Sequence, residues 1–219
     1  MGDSDRKAAL FEQLARVGKA LASGKRLELL DLLAQAERPV DALAAADGLN
    51  LTTASAHLQT LKQAGLVATR RDGTRIFYRL VGDDVADLFV RARAVAAAHL
   101  PDVTAARDSY LGTGGVESVG RDELLRRVAA GQVTVLDVRP AGEYAAGHLP
   151  GAVNIPIDRL AERFDELPAD TEVVAYCRGP YCVFAHDAVR LLRAHGRRAR
   201  RLDDGVVEWR LAGQPLAAA

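Results

Sequence analysis

The 219-residue chain reads as two domains: a mainly α domain that ends in a two-stranded hairpin, then an α/β domain built on a parallel sheet. Three observations predict this. Up to about residue 100, apolar side chains recur at helical spacing, interrupted by a strand-like pair around Asp72-Gly73. Beyond residue 117, short apolar runs alternate with amphipathic helical patterns. Between them, residues 101–116 hold a proline, the cluster Gly112-Thr113-Gly114-Gly115 and weak periodicity, which predicts a linker.

The elements follow in order. Leu10, Leu14, Val17 and Leu21 mark a first helix over 5–21. Ser23 is a good N-cap for a second, "SGKRLELLDLLAQAE", which ends before Pro39. "PVDALAAADG" is a short helix stopped by Gly48, and "LNLTTASAHLQTLKQAG" a longer one with Leu51, Ala54, Leu58 and Leu61 on one face and Gly65 beyond its end. "LVATRRDGTRIFYRL" then reads as a hairpin. Residues 83–99 return to helical period, with Val85, Leu88, Phe89, Ala92, Val95 and Ala96 forming an apolar stripe. After the linker come helix "RDELLRRVAAG", strand "VTVLDVR", helix "IDRLAERFDEL", strand "EVVAYC", helix "VFAHDAVRLLRAHG", strand "ARRLDDG" and helix "VVEWRLAG".

Composition excludes several classes. Net charge is zero, so attraction to nucleic acid has to be local. No apolar run approaches the length of a membrane span, and the mixed charges of "MGDSDRKAALFEQLARV" do not read as a secretory signal. The only two cysteines, Cys177 and Cys182, share one short loop, which is no disulfide framework and fits a reducing cytoplasm. No metal or cofactor is expected.

Three short helices, a hairpin and a flanking long helix predict a winged helix-turn-helix. The fourth helix would read DNA through Thr52, Thr53, Ser55, Ala56, His57, Gln59 and Lys62, whose small hydroxyls, amide and imidazole suit base edges and phosphates. The wing offers Arg70, Arg71, Arg75 and Arg79. Residues 50–81 contain five Lys/Arg against one Asp, a local charge of +4 suited to phosphates. "SGKRLELLDLL" and "LTTASAHLQTLKQAGLVATRRDGTRIFYRL" together resemble the ArsR family of winged-helix repressors, over about residues 8–100. The resemblance implies a homodimer joined through its first and last helices, bound to double-stranded operator DNA. Many members of that family sense metals through thiolates on the third helix or through His and carboxylates on the last. Here "VDALAAADGL" has no cysteine, and His99 is the only histidine of the last helix.

"YCRGPYC" lies at the carboxyl end of a buried strand and before a helix, where open α/β sheets place their sites. Amides at a helix N-terminus lower the pKa of a nearby thiol and can cradle an anionic sulfur. Cys177, at the strand end, is the expected nucleophile, with Arg178, Gly179, Pro180, Tyr181 and Cys182 as its loop. Cys182 admits three readings: a resolving thiol that closes a bridge to Cys177, a buried apolar residue, or half of a soft-metal pair. A bridge requires Cα atoms closer than about 7 Å.

"VLDVRPAGEYAAGHLPGAVNIP", "VVAYCRGPYC" and "LDDGVVEWRLAGQPL" resemble the rhodanese (sulfurtransferase) domain, over about residues 117–216. The resemblance implies a persulfide on Cys177. It places Asp137 and Arg139 as braces of the strand end, with Glu143 and His148 in an adjoining segment. Phosphatases and arsenate reductases of related fold carry an Arg where Val183 stands, so oxyanion chemistry is not expected. Cys182 also departs from thiosulfate-handling members at the last loop position. The expectation is a one-component regulator: residues 1–100 bind DNA and dimerise, 101–116 link, and 117–219 receive sulfane sulfur or an oxidant at Cys177. The alternative is a working thiosulfate or persulfide sulfurtransferase tethered to a DNA-binding module.

Overall fold

A computed structural model describes residues 2–112 and 116–218. Two compact units divide the chain after Arg91.

The first unit opens with α1 (Asp3–Leu21) and α2 (Gly24–Gln35), then the two-residue strand β1 (Arg38–Pro39), α3 (Val40–Ala46) and α4 (Leu51–Gln63). The hairpin of β2 (Val67–Asp72) and β3 (Arg75–Leu80) follows, and then α5 (Asp83–His99), along which the unit ends. Leu29, Leu30 and Leu33 of α2 meet Leu43 of α3, Leu58 and Leu61 of α4 and Tyr78 of β3 in one apolar core. α4 turns Ala54, Leu58 and Leu61 inward, an i, i+4, i+7 stripe that leaves its other face to solvent. Its entry is fixed by Asn50, whose Oδ1 accepts the Thr53 amide at 2.8 Å. β1, β3 and β2 form an antiparallel sheet in that order, with Pro39 confined to an edge strand. Asp72 pairs with Arg75, so Gly73 and Thr74 make a two-residue turn, and Gly73 takes φ 57°, open to glycine and strained for other residues.

In the second unit α6 (Pro101–Leu111) precedes β4 (Ser118–Val119), α7 (Arg121–Ala129), β5 (Val133–Asp137), α8 (Ala141–Ala146) and β6 (Val153–Asn154). Then come two 3-10 turns, β7 (Glu172–Tyr176), α9 (Val183–Ala194), β8 (Ala199–Leu202) and α10 (Val206–Leu211). The five strands are parallel, in the order β4-β8-β7-β5-β6. β7 is central, and both of its faces are covered. Val173 and Ala175 point into a core with Ala185, Ala188 and Val189 of α9, whereas Val174 and Tyr176 point into a second core with Leu124 and Trp209. Strict alternation therefore sends Cys177, next in the series after Val173 and Ala175, to the α9 face.

The structure differs from the sequence reading in three places. Residues 101–111, expected as linker, form helix α6: Pro101 occupies the first turn, where a missing N–H costs nothing, and Gly112 ends the helix at φ 83°. Thr113, Gly114 and Gly115 lie outside the described residues. The helix expected over "IDRLAERFDEL" is instead the pair of 3-10 turns Ile157–Glu162 and Phe164–Glu166. α8, β4 and β6 had no counterpart in the sequence reading.

Asn50→Ala is expected to cost about 1 kcal/mol of stability in the first unit, the usual loss for a removed N-cap. Calorimetry on the whole chain should show an earlier first-unit transition and an unmoved second one.

Candidate functional site

The sulfur loop is set by the strand and the helix that bracket it. Cys177 leaves β7 on the α9 face, and Cys182 is the N-cap of α9. The intervening residues fold back as a turn in which the Cys182 amide donates to the Gly179 carbonyl at 3.1 Å. The two Cα atoms are thereby 6.2 Å apart, and the sulfurs are joined as a disulfide. Cys177 is 2% exposed, whereas Cys182 is half-buried. This corrects the expectation of a reachable thiolate at position 177. In this state that sulfur is bonded and enclosed, and the cysteine at the helix N-terminus is Cys182.

The loop is gripped on several sides. The Arg178 guanidinium is held in a two-pronged pair with the fully buried Glu143, at 2.6 and 3.0 Å, and lies over the Phe184 ring. Gly205, which precedes α10, touches the loop backbone: a Cβ there would fall 2.1 Å from the Arg178 carbonyl oxygen and 2.4 Å from the Gly179 Cα. The Val206 amide donates to the Cys177 carbonyl at 3.4 Å. The His186 ring stands in the first turn of α9 and is half-buried. Burial, then the charges of Arg201 and Arg190, hold that imidazole below its ordinary pKa, so the ring is neutral near pH 7.

Behind the strand end lies a buried ion pair. Asp137 and Arg139 are fully buried and joined at 2.6 Å, and Arg139 also donates to the Gly147 carbonyl at 2.8 Å. The Tyr176 hydroxyl donates to Asp137 at 2.5 Å and accepts the Leu149 amide at 3.1 Å. Burial and the neighbouring carboxylate push the phenol far above its usual range, so it remains a donor. Asn154 donates to the carbonyls of both Asp137 and Arg139. His148 stacks on Tyr144 with ring centroids 3.7 Å apart and braces its turn against the Tyr144 carbonyl. Trp209 is in the core, its indole donating to the Pro215 carbonyl.

On α4, Thr52, Ala56, Gln59 and Lys62 are exposed, whereas Thr53, Ser55 and His57 are half-buried. His57, read as an outward contact, therefore stands at the edge of the core-facing stripe, one residue before the buried Leu58. Gln59 reaches the Tyr78 hydroxyl at 3.0 Å and Lys62 reaches Thr69 at 2.9 Å, so both side chains also fasten α4 to the hairpin. The wing arginines are exposed. Arg70 pairs with Glu37 and Asp72, Arg75 pairs with Asp41, and Arg71 bonds the Gly73 carbonyl. Exposed pairs of this kind are worth about 0–1 kcal/mol, so phosphates can replace these acids. Glu37, before β1, and Asp41, at the start of α3, have no signal in the sequence, because a lone acid at such a position is ordinary.

Among the described residues no group of three or more His, Cys, Asp or Glu side chains converges as a metal site would require. No helix among them is long and apolar enough to cross a membrane.

These parts define a class: a winged helix-turn-helix domain of the kind found in transcriptional regulators, followed in the chain by an α/β domain with a cysteine loop at the end of its central strand. Comparison with known proteins makes it specific. Residues 23–69 match the model for bacterial regulatory proteins of the arsR family, and residues 120–212 match the rhodanese-like domain. The chain is 60% identical to the HTH-type transcriptional regulator Rv0324 of Mycobacterium tuberculosis over 215 residues, covering 98% of this chain and 95% of that protein. A sulfurtransferase of Allochromatium vinosum is 30% identical over 104 residues, covering 47% of this chain and 96% of that one. A solution structure of the homodimeric winged helix-turn-helix DNA-binding domain of a possible ArsR-family regulator from Mycobacterium bovis is 63% identical. It covers 47% of this chain and 94% of its own, with a TM-score of 0.43. The chain belongs to the ArsR family of HTH-type transcriptional regulators and carries a rhodanese-like domain.

Two outcomes follow. Gly205→Ala places a methyl group inside the loop backbone and should cost about 1–3 kcal/mol, as overpacking does, while slowing closure of the Cys177–Cys182 bridge in a thiol-quench time course. Arg71→Ala should weaken DNA binding evenly across sequences and lower the slope of log affinity against log salt by about 1.

Proposed function

We propose that this regulator binds operator DNA as a homodimer and that the Cys177–Cys182 pair sets its affinity by opening and closing in response to reactive sulfur or oxidant. One observation carries the reading: the two cysteines of the chain stand 6.2 Å apart at Cα and are bonded across a loop at the carboxyl end of the central strand. Such a pair cycles without a cofactor. A hydroperoxide oxidises one thiol to a sulfenic acid, releasing water or an alcohol. The second thiol then displaces hydroxide as water and closes the bridge. Bisulfide reopens it by attacking one sulfur: a new S–S bond forms as the old one breaks, leaving a persulfide on the attacked cysteine and a thiolate on the other. In the reducing cytosol expected from cysteine usage, the closed form then reports a change in conditions.

The homodimer is supported by Leu10, Phe11 and Leu14, exposed together on α1, and by the exposed Leu88 of α5. Two half-sites, one helical turn apart, would then engage the two α4 helices and their wings.

A second reading, turnover as a sulfurtransferase, is favoured by the likeness to the Allochromatium vinosum protein over the α/β half. It requires an open Cys177, and so separates from the first by kinetics. Steady thiocyanate formation from thiosulfate and cyanide that depends on Cys177, with operator affinity unmoved by the state of the loop, would support it.

The decisive experiment uses a duplex selected from a random pool against the oxidised and the reduced chain in parallel. The expected result is an affinity that differs by about 5–150-fold between the bridged and the reduced or bisulfide-treated protein, the span of ordinary allosteric couplings. In Cys177→Ser the affinity should be the same under every treatment. Equal affinities for all forms of the wild type would overturn the proposal.

A further inference from the structure

We infer that Arg93, on α5, is the positioning residue through which the state of the sulfur loop is transmitted, an inference that rests on the switch reading above. Arg93 belongs to the second unit, whereas α5 begins in the first, so one continuous helix is shared by both.

The contacts converge on the loop. Arg93 donates to Glu208 Oε1, and Glu208 Oε2 accepts the Gly205 amide at 2.9 Å. Glu208 therefore closes the first turn of α10 and anchors Arg93 at the same time. The pair lies directly over Gly179: a Cβ there would come within 3.4 Å of Arg93 Nη1 and 3.5 Å of each Glu208 oxygen. The Arg93 guanidinium also stands 5.3 Å from the centroid of the Tyr181 ring, within cation–π range. Both side chains are largely withdrawn from water, at 16% and 12% exposure, so the pair is screened much less than the surface pairs of the wing. Gly179 and Tyr181 thus touch Arg93 from inside the bridged loop, and Gly205, hydrogen-bonded to the partner of Arg93, is packed against Arg178 and Gly179.

Opening the bridge removes a bond that holds the loop ends together. Two separate thiols, or a thiolate and a persulfide, occupy more space than one disulfide, so Gly179 and Tyr181 have to move. Arg93 has little slack, being held by a charged partner that is itself fixed to a backbone amide. Its displacement is therefore borne by the turn of α5 that carries it. Nothing in the function of a sulfurtransferase alone requires an arginine from this helix over the loop.

The test measures, for full-length variants, the ratio of DNA affinities between bridged and reduced protein on the selected duplex, with thiol counting to confirm that the bridge forms. Glu208→Gln, which keeps side-chain volume, and Arg93→Gln, which removes the charge but leaves a polar side chain, should both close the bridge and reduce the wild-type ratio to less than about twofold, a loss of the about 5–150-fold span expected of a coupling. Arg91→Ala, on the same helix and paired with Asp87, should keep the wild-type ratio. A full ratio in Arg93→Gln would overturn the inference and leave the switch intact. A wild type with no ratio at all would overturn the switch reading and this inference with it.

Discussion

The site depends on the two-residue alternation of β7. Because both faces of this central strand are buried, its side chains cannot slip register without driving Val174 and Tyr176 into the wrong core. That constraint commits Cys177 to the face on which α9 packs, and the N-cap of α9 is Cys182. A loop that spans four residues between them then has little choice about where its sulfurs meet. The chemistry is thus a consequence of strand packing, with the loop residues adjusting the fit.

Electrostatics complete the frame. The strand end rests on Asp137, Arg139 and the Tyr176 hydroxyl, a buried network in which each charged atom meets an opposite charge or a dipole. Such networks add little net stability over apolar packing, but a broken one is costly, so they tolerate a single geometry. Arg178 is paired with the buried Glu143 in the same manner. The positive potential at the loop then comes from the first turn of α9, whose field is felt most directly by the half-buried Cys182. Of the two sulfurs, that of Cys182 belongs to the more exposed residue, whereas Cys177 is enclosed in the core.

Much of the architecture was legible in the sequence. The winged-helix order, the strands on either side of the cysteine loop and the rhodanese-like segment all follow from long periodic runs and from motifs with fixed spacing. What escaped was short or shared its pattern with something else. β4 and β6 are two residues each and α8 is six, too brief for any period to register. Ile157, Leu160, Phe164 and Leu167 are compatible with an α-helix, but the three-residue steps within each pair also suit 3-10 turns, which are what form. Pro101 suits a linker as well as the first turn of a helix, and it is the helix that forms. The cysteine loop itself was visible, but its partners were not. Arg93, Glu143 and Glu208 are single charged residues separated from it by tens of positions, and only the fold brings them together.

Linkage gives the most direct test of the central claim that loop chemistry and DNA binding are one equilibrium. If bridging changes DNA affinity, DNA must change the reduction potential of the bridge by the same free energy. The midpoint potential of the Cys177–Cys182 couple, measured in a thiol–disulfide buffer with and without saturating selected duplex, should therefore shift by about 30 mV for each tenfold of affinity carried per loop. The same potential with and without DNA would show that the two sites do not communicate, and would contradict the account.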